Sequence, residues 1–290
     1  MKHIVVLVAI SVLVLGCQLV SDYEHDHVKD PISSSLLYGI SSFDQSLHFV
    51  SVDALSGTHI VLNKLPGISA VRGQATINPE LGQYYFTTEA ALVAVNIADG
   101  KIVKSFKLPY PNTGNIQYNS IGKKINGLSF IDGHFHYVEI DILTGEMKKL
   151  RPLNIKGISG SSGNIDCGKN KYYFVSERTI YVLDLATGSP IDSLYVDLNF
   201  GGLRLVKDNV LFGVDLSQSQ FSNFDLTTSA VNAVNSFAGS LNDHTAVDVK
   251  KELYFYYSGY AELTCVDIAS GAVKATHSLP HDTFQLAAIN

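Results

Sequence analysis

The chain has 290 residues, 46% of them hydrophobic, with 27 Asp and Glu against 21 Lys and Arg and a formal net charge of −6. A net-negative chain argues against nucleic acid as a partner, because that class of binding needs an excess of clustered Lys and Arg. Three cysteines with no Cys-x-x-Cys spacing exclude a zinc ribbon and a disulfide-built scaffold.

The first sixteen residues form a targeting segment, with Lys2 as a short basic start and Ile4 to Leu15 as an apolar run broken only by Ser11. That run is too short to span a bilayer as a helix. It ends at Val14-Leu15-Gly16-Cys17, which resembles a bacterial lipobox. The resemblance implies cleavage before Cys17 and acylation of that residue. Several acyl chains would hold the protein at a membrane, at about 0.8 kcal/mol per buried methylene. Ordinary secretion, with Val14 and Gly16 as the small-residue cleavage pair, is the other reading of the same residues. Residues 17–35 then read as a solvated acidic tether carrying Asp22, Glu24, Asp26 and Asp30 against Lys29. By resemblance to Gram-negative lipoproteins, Gln18 implies the outer membrane, on either its periplasmic or its surface side. His25 and His27 alternate with acids and could meet a metal.

From Leu36 onward one short stretch recurs. Asp53–Gly57, Asn96–Gly100, Asp141–Gly145, Asp184–Gly188, Asp225–Ser229 and Asp267–Gly271 begin 43, 45, 43, 41 and 42 residues apart. Each follows a strand-like run and precedes another. The Asp or Asn side chain can accept bonds from nearby backbone N–H groups, and the Gly tolerates positive φ, as a tight hairpin with a bulge requires. A period of 40–45 residues is the signature of propeller blades. The aromatic second strands are Leu36–Ile40, Gln83–Phe86, Gly127–Phe130, Lys171–Phe174, Val210–Phe212 and Leu253–Tyr256. Inner strands precede them at Ala75–Asn78, Ile116–Asn119, Ile165–Cys167, Leu203–Val206 and Thr245–Val249. No inner strand precedes Leu36, whereas Phe284–Ile289 is a strand with nothing left to follow it. The expected fold is therefore all-β: a six-bladed β-propeller of four-stranded antiparallel blades over residues 36–290, its ring closed by the C-terminal strand. Length would allow two domains, but the repeat overrides that prior.

The stretches Tyr181-Val182-Leu183-Asp184-Leu185-Ala186-Thr187-Gly188 and Leu92-Val93-Ala94-Val95-Asn96-Ile97-Ala98-Asp99-Gly100 resemble the repeats of quinoprotein-like and YVTN-type propellers. Quinoprotein repeats usually carry Trp after the Gly, and their quinone enzymes have eight blades. This chain has no Trp and six repeats, so no pyrroloquinoline quinone is expected. Some lipoprotein propellers with this repeat act as scaffolds in outer-membrane assembly, which implies an envelope protein as a partner.

No nucleophile elbow, His-Glu-x-x-His helix, phosphate loop or dinucleotide fingerprint occurs. Gly157–Gly163 reads as a loop. The candidate ligand-binding residues are those entering the inner strands, which ring the mouth of a propeller's channel: Arg72, Gln74, Asn115, Asn164, Arg204, Asp243, His244, His281 and Asp282. The two His–Asp neighbours suit a divalent metal. Cys167 and Cys265 read as reduced thiols. The expected function is a monomeric, envelope-anchored binding module or scaffold for a small ligand or protein. The alternative is a channel-mouth enzyme such as a metal-assisted lyase, lactonase or hydrolase.

Overall fold

The computed structural model describes residues 35–158, 162–197, 199–239, 241–257 and 261–290. The signal, Cys17 and the tether up to residue 34 lie outside the described residues. The strands form six four-stranded antiparallel sheets. Blade 1 contains β1 (Leu36–Phe43), β2 (Ser46–Asp53) and β3 (His59–Lys64). Blade 2 is β4 (Arg72–Asn78), β5 (Gln83–Thr87), β6 (Ala91–Asn96) and β7 (Ile102–Lys107). Blade 3 is β8 (Thr113–Asn119), β9 (Lys124–Ile131), β10 (His134–Asp141) and β11 (Met147–Leu153). Blade 4 is β12 (Asn164–Asp166), β13 (Lys171–Ser176), β14 (Thr179–Asp184) and β15 (Pro190–Tyr195). Blade 5 is β16 (Phe200–Lys207), β17 (Val210–Asp215), β18 (Gln220–Asp225) and β19 (Val231–Ser236). Blade 6 is β20 (Asn242–Asp248), β21 (Leu253–Tyr257), β22 (Glu262–Asp267) and β23 (Val273–Ser278). The last strand, β24 (Thr283–Ala288), pairs antiparallel with β1 and completes blade 1. The ring is thus closed by the C-terminal strand, as the missing first inner strand predicts.

Strand position sets burial. Second strands such as Tyr84-Tyr85-Phe86-Thr87 are wholly buried, whereas outer strands such as β7 alternate between partly buried and exposed residues. The core is not one body. Six apolar clusters lie at the six blade interfaces. Leu37, Val50 and Val52 of blade 1 meet Phe255, Leu263 and Cys265 of blade 6, for example, and Phe49 meets Tyr84 and Phe86 of blade 2. Cys167 and Cys265 are free thiols, and burial pushes the Cys265 thiol up to about 12.

The repeated turn has two physical jobs. Within a blade, the Asp or Asn closes the hairpin. The Ala98 N–H donates to Asn96 Oδ1 at 2.8 Å, and the Gly100 N–H to Asn96 O at 2.9 Å. Gly100, Gly145 and Gly188 sit at φ of 69°, 74° and 69°. Between blades, the same Gly lets the preceding blade approach. A Cβ on Gly145 would lie 2.4 Å from the Phe106 ring of blade 2.

A second set of turns joins inner to second strands. Asn78, Asn119, Asp166 and Asp248 cap them by accepting the backbone N–H of Glu80, Gly122, Lys169 and Lys251. Both sets lie on one face, because two antiparallel strands separate them, and they bond to each other: Ile97 N–H to Gly82 O at 3.0 Å and Leu185 N–H to Asn170 O at 2.9 Å. This is the turn face. The opposite face, where inner strands begin, is the entry face. The described chain starts on the turn face. The Ser35 hydroxyl donates to Asp248 Oδ2 at 3.0 Å, and its N–H to Asp53 Oδ1 at 3.2 Å.

Candidate functional site

The inner strands surround the axis, and their registers define two tiers of side chains. Thr76, Gln117, Asn164, Arg204, Ala246 and Ala287 face equivalent positions on the second strands, namely Tyr85, Asn126, Tyr173, Phe212, Phe255 and Tyr38. They form the lower tier. Two residues nearer the entry face, an upper tier consists of Gln74, Asn115, Ser162, Gly202, His244 and Gln285.

The polar lower-tier residues stitch blades together. Thr76 Oγ1 accepts the Tyr118 N–H of blade 3 at 2.9 Å. Gln117 donates to Gly163 O of blade 4 at 3.0 Å. Asn164 donates to Leu203 O of blade 5 at 3.1 Å and accepts the Leu205 N–H at 2.9 Å. Arg204 donates through Nε and Nη2 to Thr245 O of blade 6 at 3.1 and 2.6 Å. The belt then stops, because blades 6 and 1 place Ala246 and Ala287 there. Asn164 and Arg204, read from sequence as mouth residues, are buried members of this belt.

Above the Ala246–Ala287 gap the upper tier changes character. Gln285, only 3% exposed and at φ 55°, donates through Nε2 to Arg72 O at 2.6 Å and Gly73 O at 3.1 Å. Its backbone N–H approaches His244 Nδ1 at 3.4 Å, which leaves the ring proton of a neutral His244 on Nε2. The Oε1 atoms of Gln285 and of Gln74, 6% exposed, are buried without a protein partner. A recess of about 330 Å³ opens among Gly73, His244, Phe284 and Gln285. A channel cavity of about 430 Å³ runs along the axis past Gln74, Ala246 and Ala287 towards Pro79, Ser120 and Asn290 at the turn face. On the arc of blades 6, 1 and 2, Gln74 lines the channel cavity with Ala246 and Ala287, whereas Gln285 and His244 line the recess with Phe284. A site built this way receives donor groups from a ligand.

The other sequence candidates sit elsewhere or play backbone parts. Arg72 is exposed and contributes its carbonyl to Gln285. Asn115 is buried at φ 50°, and its carbonyl accepts the Tyr172 hydroxyl at 2.5 Å. His281 stacks on Phe43 with centroids 4.1 Å apart, and exposed Asp282 gives its carbonyl to Ser41 and Ser42. His281 and Asp282 line neither cavity. The side chain of Asp243 lies outside the described residues. Among the described residues no three His, Cys, Asp or Glu side chains are placed to hold a metal together. Gln285, absent from the sequence candidates, had one legible signal: it stands two residues into the closing strand, the position at which Gln74 stands in β4.

No family model matches the chain, and no curated protein matches it in sequence. Solved structures match its shape. TolB from Acinetobacter baumannii superposes with a TM-score of 0.66 at 14% identity, over 88% of this chain and 66% of that one. A chain of a nidogen/laminin complex gives 0.67 at 12% identity, over 88% of this chain and 98% of that one. The dihydro-heme d1 dehydrogenase NirN gives 0.52 at 14% identity, over 84% and 54%. At these identities the likeness shows the propeller fold alone.

Proposed function

We propose that this chain is an envelope lipoprotein, acylated at Cys17, whose propeller is a binding module rather than an enzyme. The ligand enters the arc of blades 6, 1 and 2. Fold cannot choose between the two classes, since the neighbours in shape include both a dehydrogenase and a chain from a protein–protein complex. The site's chemistry favours binding. The observation that carries this reading is that two buried carboxamide oxygens lack a protein partner, one on Gln74 of the channel cavity and one on Gln285 of the recess. An unsatisfied buried acceptor costs about 1–3 kcal/mol, and a donor-bearing ligand removes that cost on binding. Peptide N–H groups and sugar hydroxyls are such donors, so an exposed partner loop or a small polyol fits the site.

The test is a thermal-shift screen of the mature chain against short peptides, sugars and divalent metals, repeated on Gln74→Met. Methionine keeps the volume and removes the acceptor. The free variant should melt at or above the wild-type temperature, while the shift given by a wild-type binder should disappear. A binder that shifts both proteins equally would sink the assignment, as would a variant that unfolds.

A further inference from the structure

We infer that the junction of blade 6 with blade 1, where the ring closes, is an acid-sensitive latch: protonating its histidines frees the closing strand β24 before the other blades loosen. The latch belongs to the fold and needs neither an anchor nor a bound ligand.

Seven histidines stand among the described residues, and five of them gather at this one junction. His277 of β23 donates through Nε2 to Leu55 O of blade 1 at 3.0 Å. His244 of β20 accepts the Gln285 N–H of β24 through Nδ1 at 3.4 Å. His281, in the connection into β24, and His48 of β2 both stack on Phe43, with centroids 4.1 and 3.8 Å away. Two rings this close cannot share one face of Phe43, so it lies between them. His59 of β3 meets His281 edge-on at 6.0 Å. The repeat supplies its own control. Where His277 packs on Gly57, other outer strands place Asn63 on Gly100, Phe106 on Gly145 and Asn235 on Gly271. Joining one blade to the next therefore does not ask for a histidine.

Protonation works against this packing. His48 stands directly across from Lys64 in the β2–β3 ladder, where like charges destabilise a sheet. His48 Nδ1 and His59 Nε2 are buried without a protein partner, so a proton added there is costly. One cation beside Phe43 is tolerated, but His281 lies against both of the other rings, and three cations repel. The opposing acids are Asp44 in the β1–β2 turn and Asp282 beside His281, both exposed and therefore screened. Tyr257 of β21 stays neutral, because burial raises its hydroxyl. Burial, and after it Lys64 for His48 and His281 for His59, lowers both imidazoles. The latch thus holds above about pH 6.5 and loosens below it. What it releases begins one residue past His281, where Asp282 O accepts the Ser42 N–H at 3.1 Å and the Ser41 hydroxyl at 2.9 Å.

The experiment is hydrogen–deuterium exchange of the full chain at about pH 7.5 and about pH 5.5, with rates corrected for the intrinsic effect of pH on exchange. Amides of residues 37–41 and 284–288 should lose roughly tenfold or more in protection between the two values, while those of β13 and β14 in blade 4 keep theirs. An equal loss in blade 4 would mean general acid unfolding and overturn the latch, as would no loss at the junction. Two exposed charges set the direction. Lys64→Gln should move the loss to lower pH and Asp44→Asn to higher pH, because Lys64 disfavours and Asp44 favours the protonated form of His48. No shift in either variant would overturn the proposal equally. The comparison of blades within the wild type decides the matter even where a variant fails to fold.

Discussion

Gly145 shows how much a single position carries. Its φ of 74° and a Cβ site 2.4 Å from Phe106 combine left-handed strain, about 1–2 kcal/mol for an L residue, with overpacking of about 1–3 kcal/mol. Gly145→Ala should therefore destabilise the protein by roughly 2–5 kcal/mol in urea unfolding. Blade 5 makes the converse test, because its turn already carries Ser229 at φ 60°. Ser229→Gly should stabilise by up to about 1 kcal/mol, and a loss of stability would refute the strain argument. Histidines set an acid limit at the same scale. Burial and, second, the charge of Lys64 lower the pKa of His48. Burial and then His281 lower that of His59. His48 Nδ1 and His59 Nε2 are buried without partners. Lowered folded-state pKa values mean that the unfolded chain binds protons first as pH falls. The contribution of these residues is present above about pH 6.5 and is lost below it. A His48→Gln/His59→Gln variant should show a shallower fall in stability between neutral pH and pH 5 in denaturant titrations. An unchanged slope would remove these residues from the acid response. Asp141, Asp225 and Asp267 act in a separate, lower window, since hydrogen bonds from Thr144, Thr227 and Ser270 hold their carboxyls below the usual range.

At the scale of elements, β24 is the strand on which the ring depends. Leu286 enters the blade 1–blade 6 core, and Ala287 enters the blade 1–blade 2 core. The Gln285 carbonyl receives the Tyr84 hydroxyl of blade 2 at 2.5 Å. Deleting residues 284–290 opens two interfaces and leaves β1 as an unpaired inner edge, so the truncated protein should aggregate or melt far below the wild type. Melting at the wild-type temperature would contradict closure. Tyr84→Phe isolates the hydrogen bond and should cost about 1–3 kcal/mol, because a buried carbonyl is left unpaired. The strand pattern behind this closure was legible in sequence, since aromatic runs, Asp-x-x-x-Gly turns and a fixed spacing are local signals. The site was half legible. Entry positions could be counted, but bulges in the inner strands, such as that between Arg72 and Thr76, move residues of like sequence rank into different tiers. Arg204 and Asn164 consequently fall in the belt rather than at the mouth. The alternation by which Tyr84, Tyr172 and Tyr254 of blades 2, 4 and 6 each bond a carbonyl of the preceding blade is a pairing of blades that no single repeat announces.

The whole molecule has polarity along its axis and around its ring. The described residues start on the turn face at Ser35, the recess of His244 and Gln285 opens nearer the entry face, and the polar belt around the axis stops at Ala246 and Ala287 of blades 6 and 1. If residues 17–35 are the tether proposed above, they can reach roughly 60 Å when extended, at about 3.3–3.6 Å per residue, so acylation alone would hold the propeller near a membrane without orienting it. An acyl anchor and an electrostatic contact would separate cleanly under salt. Buried acyl methylenes resist ionic strength, whereas contacts between charges are screened within about 10 Å at 0.1 M salt. Cys17→Ser should therefore move the protein from the membrane fraction to the soluble one at physiological salt. Any electrostatic remainder left at low salt should wash off as salt is raised. Retention of Cys17→Ser through a high-salt wash would mean that something other than acylation anchors the chain. The lipoprotein reading would then give way to an uncleaved apolar segment or a tightly held partner.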